Sequence, residues 1–248
     1  MSIIIQNTSN GRLCNQIIRN LAVSIIAERF DLYVEYSEYD KLNIIGFDLY
    51  KGTNKYDKTI TLSDDNYINI LNRNIIDFNV NPNKHFFQTQ DITDLIYKHI
   101  RSNKHKLLII QNNPYKDRYN NNNDIYIHIR IGGIYGKQNP GVDYYILCIN
   151  KIKYDNIYIS TDCINHNIIN ELISKFPIIK IIEKNDVETI QFASSCKYII
   201  LSYGSYSAII GYLSFYSDKI YYPSFNGKWT KILIGNDDIV KNKGFIEV

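Results

Sequence analysis

The sequence predicts an α/β protein of two domains whose parallel sheets face one another across a cleft. Three observations lead there. From Asp124 onward, short β-rich runs alternate with helical runs of about ten residues, the pattern of βαβ units around a buried parallel sheet. The amino-terminal end also opens βαβ. Between the halves, residues 112–123 combine Pro114 with an asparagine tract and carry no apolar period, which marks a linker. The expected domains are therefore residues 1–112 and 124–248.

In the first half, Ile3 to Gln6 reads as a strand, Asn15 to Phe30 as a helix and Leu32 to Tyr36 as a second strand. From Lys41 to Asn83 the periodic signal is weak, with a strand or helix start near Asp64. Asp91 to Arg101 has helical spacing, and Lys106-Leu107-Leu108-Ile109-Ile110 reads as a strand. In the second half, the expected strands are Asp124–Arg130, Asn156–Ser160, Pro177–Ile182, Lys197–Leu201 and Lys219–Tyr222. The helices between them are Asp143–Ile152, Asn165–Lys175, Asp186–Ser194 and Ser207–Phe215. A glycine-bearing loop runs from Gly132 to Gly141.

Composition narrows the class. With 45% apolar and 21% charged residues, the chain has the profile of an ordinary globular protein. Its wealth of Ile, Asn, Lys and Tyr follows AT-rich codons and carries no functional meaning. A net charge of +3 argues for neither nucleic acid nor a membrane surface. No stretch reaches the roughly 20 apolar residues of a membrane span. The apolar run after Ser2 is short and lacks a basic start, so no secretion signal is expected. Cys14, Cys148, Cys163 and Cys196 are scattered, without a C-x-x-C pair or a histidine cluster at metal spacing. Reduced thiols in a cytoplasmic protein are expected.

In an open parallel sheet, ligands bind beyond the carboxyl ends of the strands, so the residues leaving each strand define the candidate site. The first strand of the second half exits through His128, Arg130, Gly132 and Gly133. An arginine there can fork onto a diphosphate while glycine lets the backbone come close. The alternative is an arginine held by a carboxylate. His128 shares the face of Arg130 and reads either as a structural group or as a base. The second strand exits through Asp162, which either accepts from a ribose or base, or caps the next helix. The fourth exits through Ser205-Tyr206-Ser207 into a helix start, which serves as an anion site or as a plain cap. In the first half, the loop Gly11-Arg12-Leu13-Cys14-Asn15-Gln16 joins a strand to a helix and can present backbone N–H groups to an anion or a sugar. Four aromatic residues nearby, Tyr36, Tyr39, Phe47 and Tyr50, either stack on a sugar or pack the core.

This set resembles the fucosyltransferase superfamily that includes bacterial α-1,2-fucosyltransferases and protein O-fucosyltransferases. Their G-[GR]-[LF]-G-N-Q loop is similar to Gly11–Gln16, and their H-x-R-R-G-D strand end to His128, Arg130 and Gly132. Their F-S-D-D-like exit is similar to Ile159-Ser160-Thr161-Asp162. Their cysteine-containing segment before an N-S-[ST]-F-S-W-W helix start is similar to Asp186–Lys197 followed by Ser205-Tyr206-Ser207. The order and spacing agree over nearly the whole chain.

The resemblance implies a GT-B glycosyltransferase that transfers a deoxyhexose, fucose from GDP-fucose, to a glycan hydroxyl. It implies inversion at the anomeric carbon with no metal and no cofactor beyond the donor. Arg130 would stabilise the departing diphosphate, with Ser205, Tyr206 and Ser207 on phosphate and ribose and Asp162 near the nucleotide. Gly11, Arg12, Asn15 and Gln16 would approach the sugar and the reacting centre. The chain has no Asp-x-Asp, the metal-holding signature of the other major glycosyltransferase fold. Candidate bases are His128, Asp162, Glu35 and Glu38. The chain departs from the family at Cys14, Ile131, Gly133, Tyr203, Ala208 and Ile209. Ile131 and Gly133, in place of arginine and aspartate, keep open a second reading, a non-catalytic nucleotide-sugar-binding protein, and also a transferase with another donor. A dinucleotide oxidoreductase is the third, opposed by the absence of G-x-G-x-x-G after either first strand.

Overall fold

The computed structural model describes residues 6–7, 11–132, 139–224, 233–234 and 244–248. The chain divides into two compact units, Met1–Asn112 and Asn113–Val248. Both are α/β with parallel strand pairing.

The amino-terminal unit is organised around α1 (Leu13–Phe30). Buried side chains occur on every side of this helix, from Ile17 and Ile18 to Val23 and Ile26, so it is an interior helix. It ends at Asp31, in the left-handed region, whose carboxylate accepts from Tyr50 Oη (2.7 Å) and Thr53 Oγ1 (2.5 Å). Ahead of α1, β1 (Gln6–Asn7) pairs in parallel with β2 (Glu35–Tyr36). Most of the expected first strand, residues 3–5, lies outside the described residues. Where the sequence pattern was weak there are α2 (Tyr39–Ile45), β3 (Thr59–Thr61), α3 (Tyr67–Leu71) and β4 (Asn79–Asn81). β3 and β4 pair in parallel, and α3 begins just after Asp64.

Then follow α4 (Gln90–Ile100) and α5 (Asn103–Asn112). The expected strand at Lys106–Ile110 is overturned, because those residues are interior to α5. His105 and Ile109, one turn apart, are buried, while Leu107 is exposed. An apolar run this short fits either period, and here packing chose the helical one.

The carboxy-terminal unit holds one six-stranded parallel sheet. Its strands are β5 (Ile125–Ile129), β6 (Ile157–Thr161), β7 (Ile179–Ile181), β8 (Tyr198–Ile200), β9 (Lys219–Tyr222) and β10 (Phe245–Glu247). They lie in the order β10-β9-β8-β5-β6-β7. Numbered within the unit this is 6-5-4-1-2-3, the doubly wound order, with its switch point between β5 and β8. The crossover helices are α6 (Val142–Asn150), α7 (Asn167–Lys175), α8 (Asp186–Ser194) and α9 (Ser205–Leu213). β5 is buried at every residue. Its isoleucines pack with Tyr145, Cys148 and Ile149 of α6 and with Ile159 of β6. The expected elements of this half recur with bounds shifted by at most two residues, and β10 is an addition. Residues 133–138 of the glycine-bearing loop lie outside the described residues.

The stretch read as a linker is built into this unit. Asn113 is buried and donates to the Gln191 carbonyl at 2.9 Å, and Asn122 donates to the Ser195 carbonyl at 3.1 Å. Arg118 pairs with the nearly buried Asp124 at 2.7 Å, donates to Ser195 Oγ at 3.1 Å and lies over the Phe192 ring. Asparagine side chains here bond backbone groups, so a polar tract with no apolar period is nevertheless ordered. Replacing Arg118 by leucine leaves Asp124 buried without its ion. We expect a loss of about 2 kcal/mol in the stability of the carboxy-terminal unit, read by urea denaturation, with Asp124→Asn in the same background restoring part of it.

Candidate functional site

At the carboxyl edge of the sheet, the chain leaving β5 is held at successive backbone groups. Arg130 N–H donates to Ser202 Oγ at 3.3 Å, and the Arg130 carbonyl accepts from Asn139 Nδ2 at 2.8 Å. Next, Ile131 N–H donates to Asp162 Oδ1 at 2.8 Å, and Gly132 N–H reaches both Asp162 oxygens at 3.2 and 3.0 Å. The same carboxylate binds the Arg130 guanidinium at 2.6 Å. Gly132 suits this close approach, since a Cβ there would sit 2.8 Å from Asp162 Oδ2 and push the carboxylate from its present position.

Asp162 is not the cap of the next helix, because α7 is capped by His166, whose ring accepts from Ile168 N–H. Burial works to raise the Asp162 pKa. The N–H groups of Ile131 and Gly132 and the charge of Arg130 outweigh it and hold the carboxyl below its ordinary value. Arg130 is anchored on one side by this carboxylate, the alternative named for it from sequence, and it stands at the switch point with part of its side chain in solvent.

The opposite side of the switch point is α9. Gly204 is its N-cap, with no side-chain cap, so the helix begins two residues before the expected Ser207. The first-turn N–H groups of such a helix have no intrahelical partner, and its dipole favours an anion. Tyr206 Oη donates to the Asp186 carbonyl at 2.9 Å. Ser207 is buried, and its Oγ lies 2.6 Å from His128 Nδ1 and accepts from Ser202 N–H at 3.1 Å. His128, Ser202 and Ser207 therefore lock β5, the exit of β8 and the start of α9 into one arrangement. His128 is itself buried, 6% exposed, and packs near the Tyr206 ring. Burial lowers its pKa to about 4, with Arg130 acting in the same direction and Asp162 against it. It is a neutral ring near neutral pH.

In the amino-terminal unit, the loop of Gly11 to Gln16 is tied locally. Arg12 is the exposed N-cap residue of α1 and provides no side-chain cap. Asn15 Oδ1 accepts from Gln88 Nε2 at 3.0 Å. Gln16 is buried, donates to the Gly11 carbonyl at 3.5 Å and accepts from Ser37 Oγ at 3.3 Å. Of the aromatic residues, Phe47 is core, Tyr36 Oη donates to the Tyr50 carbonyl, and Lys51 sits 4.2 Å over the Tyr39 ring. Glu35 accepts from Tyr33 Oη, and Glu38 pairs with Lys41.

Sequence reasoning missed Asn139 and did not give Ser202 its role. Asn139-Pro140-Gly141 is a turn signal that could have located the first, and Asn139 Oδ1 indeed accepts from Gly141 N–H at 2.9 Å. Among the described residues, no cluster of three or more His, Cys, Asp or Glu could hold a metal ion.

No protein-family model matches the chain, and no curated protein matches it. Among solved structures it is similar to NodZ alpha-1,6-fucosyltransferase soaked with GDP-fucose, with a TM-score of 0.35 and 14% identity. The match covers 60% of this chain and 55% of that one, so the chain spans about half the length of that transferase.

The His128 ring must take up a proton on unfolding in weak acid. Stability that is complete above about pH 6.5 is lost as the pH falls toward about 4, because the unfolded state binds the extra proton first. We expect His128→Gln to flatten the fall in stability of the carboxy-terminal unit between about pH 7 and about pH 5, measured by urea denaturation. An unchanged slope would remove His128 as its source.

Proposed function

We propose that the chain is a glycosyltransferase whose carboxy-terminal unit binds a nucleoside-diphosphate sugar, GDP-fucose in the first instance, and passes the deoxyhexose to a glycan hydroxyl. One observation carries this reading: a partly exposed arginine, fixed through its own backbone and side chain, stands at the switch point of a doubly wound sheet. It is bonded through Ser202 to the start of a helix without a side-chain cap. A diphosphate bound there would meet a guanidinium and first-turn N–H groups together.

Transfer replaces the sugar C1–O bond to the diphosphate by one to the acceptor oxygen, with inversion, and negative charge grows on the leaving phosphate. Arg130 would stabilise that charge in the role a metal plays in other transferases, and its attachment to Asp162 means little reorganisation is needed as the charge develops. Ser205, Tyr206 and Ser207 would contribute backbone N–H groups. Gly132 would allow close backbone approach. Asp162 acts through Arg130, and His128 through Ser207, so both are positioning residues in this reading.

A second reading, a protein that binds the nucleotide sugar without turnover, is favoured by the Arg130–Asp162 ion pair, which already neutralises the cation. Calorimetry with GDP and GMP, followed by a donor-turnover assay with GDP-fucose, separates the two. We expect GDP to bind more tightly than GMP, and Arg130→Ala to weaken GDP about 10- to 100-fold and abolish turnover. Tight GDP binding without turnover would establish the second reading, and full turnover in Arg130→Ala would sink the mechanism.

A further inference from the structure

We propose that His99 and His105, in the amino-terminal unit, form an acid-sensitive latch that releases α5 from α4 and α2 when the pair takes up a proton. The latch is independent of the transfer reading above. The two rings close the corner between α4 and α5, with centroids 4.0 Å apart and planes tilted by 36°. His105 is buried, 5% exposed, and His99 is half-buried. His99 Nε2 and His105 Nδ1 are shut off from solvent with no hydrogen-bond partner among the described residues. Opening the corner gives both nitrogens water, so the closed state holds two polar atoms that gain from release.

The construction of α5 makes this pair decisive. Of the residues of α5, all described, only His105 and Ile109, one turn apart, are buried. Ile109 seats against the C-cap of α2: Gly46, at φ 98°, comes so close that a Cβ there would lie 2.8 Å from Ile109 Cα. His105 is therefore one of two anchors, and the one that can acquire a charge. It lies in the first turn of α5, at the positive end of the helix dipole. Lys104 stands beside it, paired with Asp48 at 2.7 Å. Burial and then Lys104 lower the His105 pKa against the opposing pull of Asp48 and of Glu28 of α1. His99, in the last turn of α4, has the favourable end of a dipole. Burial, the neighbouring His105 and Lys104 nevertheless bring its pKa down to about 4 against Asp48. Arg101, in the connection between the helices, is a further cation, its guanidinium 4.9 Å over the Tyr97 ring. The stability of the latch is complete above about pH 6.5 and falls as the pH drops toward about 4, because the open form binds protons first.

What α5 connects gives the latch its reach. The helix runs directly into Asn113, the first residue of the carboxy-terminal unit, whose side chain is held there by the Gln191 carbonyl. Released, α5 becomes a tether still fixed at Asn113, and extended chain reaches about twice as far per residue as helix.

The test is hydrogen exchange on the full chain at about pH 7.5 and about pH 5, corrected for the intrinsic pH dependence of exchange. We expect the protection of the α5 amides to fall at least about 10-fold between the two, and at the lower pH to lie at least about 10-fold below that of α1. In a variant carrying His99→Phe and His105→Phe, which keeps two rings that cannot be protonated, the fall should be less than about twofold. The ring-carbon NMR shifts of the two histidines need no variant, and should move together with the loss of α5 protection. Unchanged α5 protection in the wild type overturns the latch. Loss of protection in α1 and α5 to the same level does so too, since it is unfolding of the whole unit, and so does a full fall in a folded double variant. Where the double variant does not fold, the ring shifts decide: rings that titrate while α5 stays protected overturn the proposal.

Discussion

Asp162 uses both of its oxygens on the chain that leaves β5, accepting from Ile131 and Gly132 N–H and pairing with Arg130. The rest of the carboxyl edge depends on that attachment. It fixes where the first residues beyond β5 run, brings the carboxylate to within 2.8 Å of where a Cβ on position 132 would lie, and sets the direction of the guanidinium. A carboxylate this saturated with donors stays ionised, so the anchor is permanent over the range in which most proteins work. The backbone bonds to Ser202 and Asn139 then remove the remaining freedom of Arg130. A cation bound so closely has little side-chain entropy left to lose.

The architecture of the second half was written in its pattern. Isoleucine-rich runs of about five residues admit few periods when helices of regular length separate them, and a fully buried central strand such as β5 needs a continuous apolar run. Strand order was not legible, because every parallel strand looks alike in sequence. The first half was harder for a physical reason. Its strands are two or three residues long and its helices α2 and α3 are short, so few residues of any element repeat a period. In Lys106–Ile110 the apolar run was correct but its geometry was chosen by neighbours: Ile109 is buried, one turn after the buried His105, while Leu107 is exposed. The linker reading failed because side-chain amides can satisfy backbone groups as well as water does.

For the candidate site, residue types at strand exits pointed to the carboxyl edge of the sheet, while the partnership among them lay out of reach. Arg130 and Asp162 are far apart in sequence and share no pattern, and Asp162 resembled a helix cap because it follows a strand and precedes a helix.

The strand order has a consequence for how the carboxy-terminal unit is made. β5 pairs with β6, which follows after one helix, and also with β8, which follows only after three. As the chain emerges from the ribosome, β5, β6 and β7 can associate first, with the β8 side of β5 still an open edge. Arg130 and Ser202 meet only when β8 and the start of α9 arrive to close that edge. The edge around Arg130 is thus the seam between two successive halves, and it is assembled late. Contacts this distant along the chain close slowly, so maturation of the site is coupled to completion of the sheet.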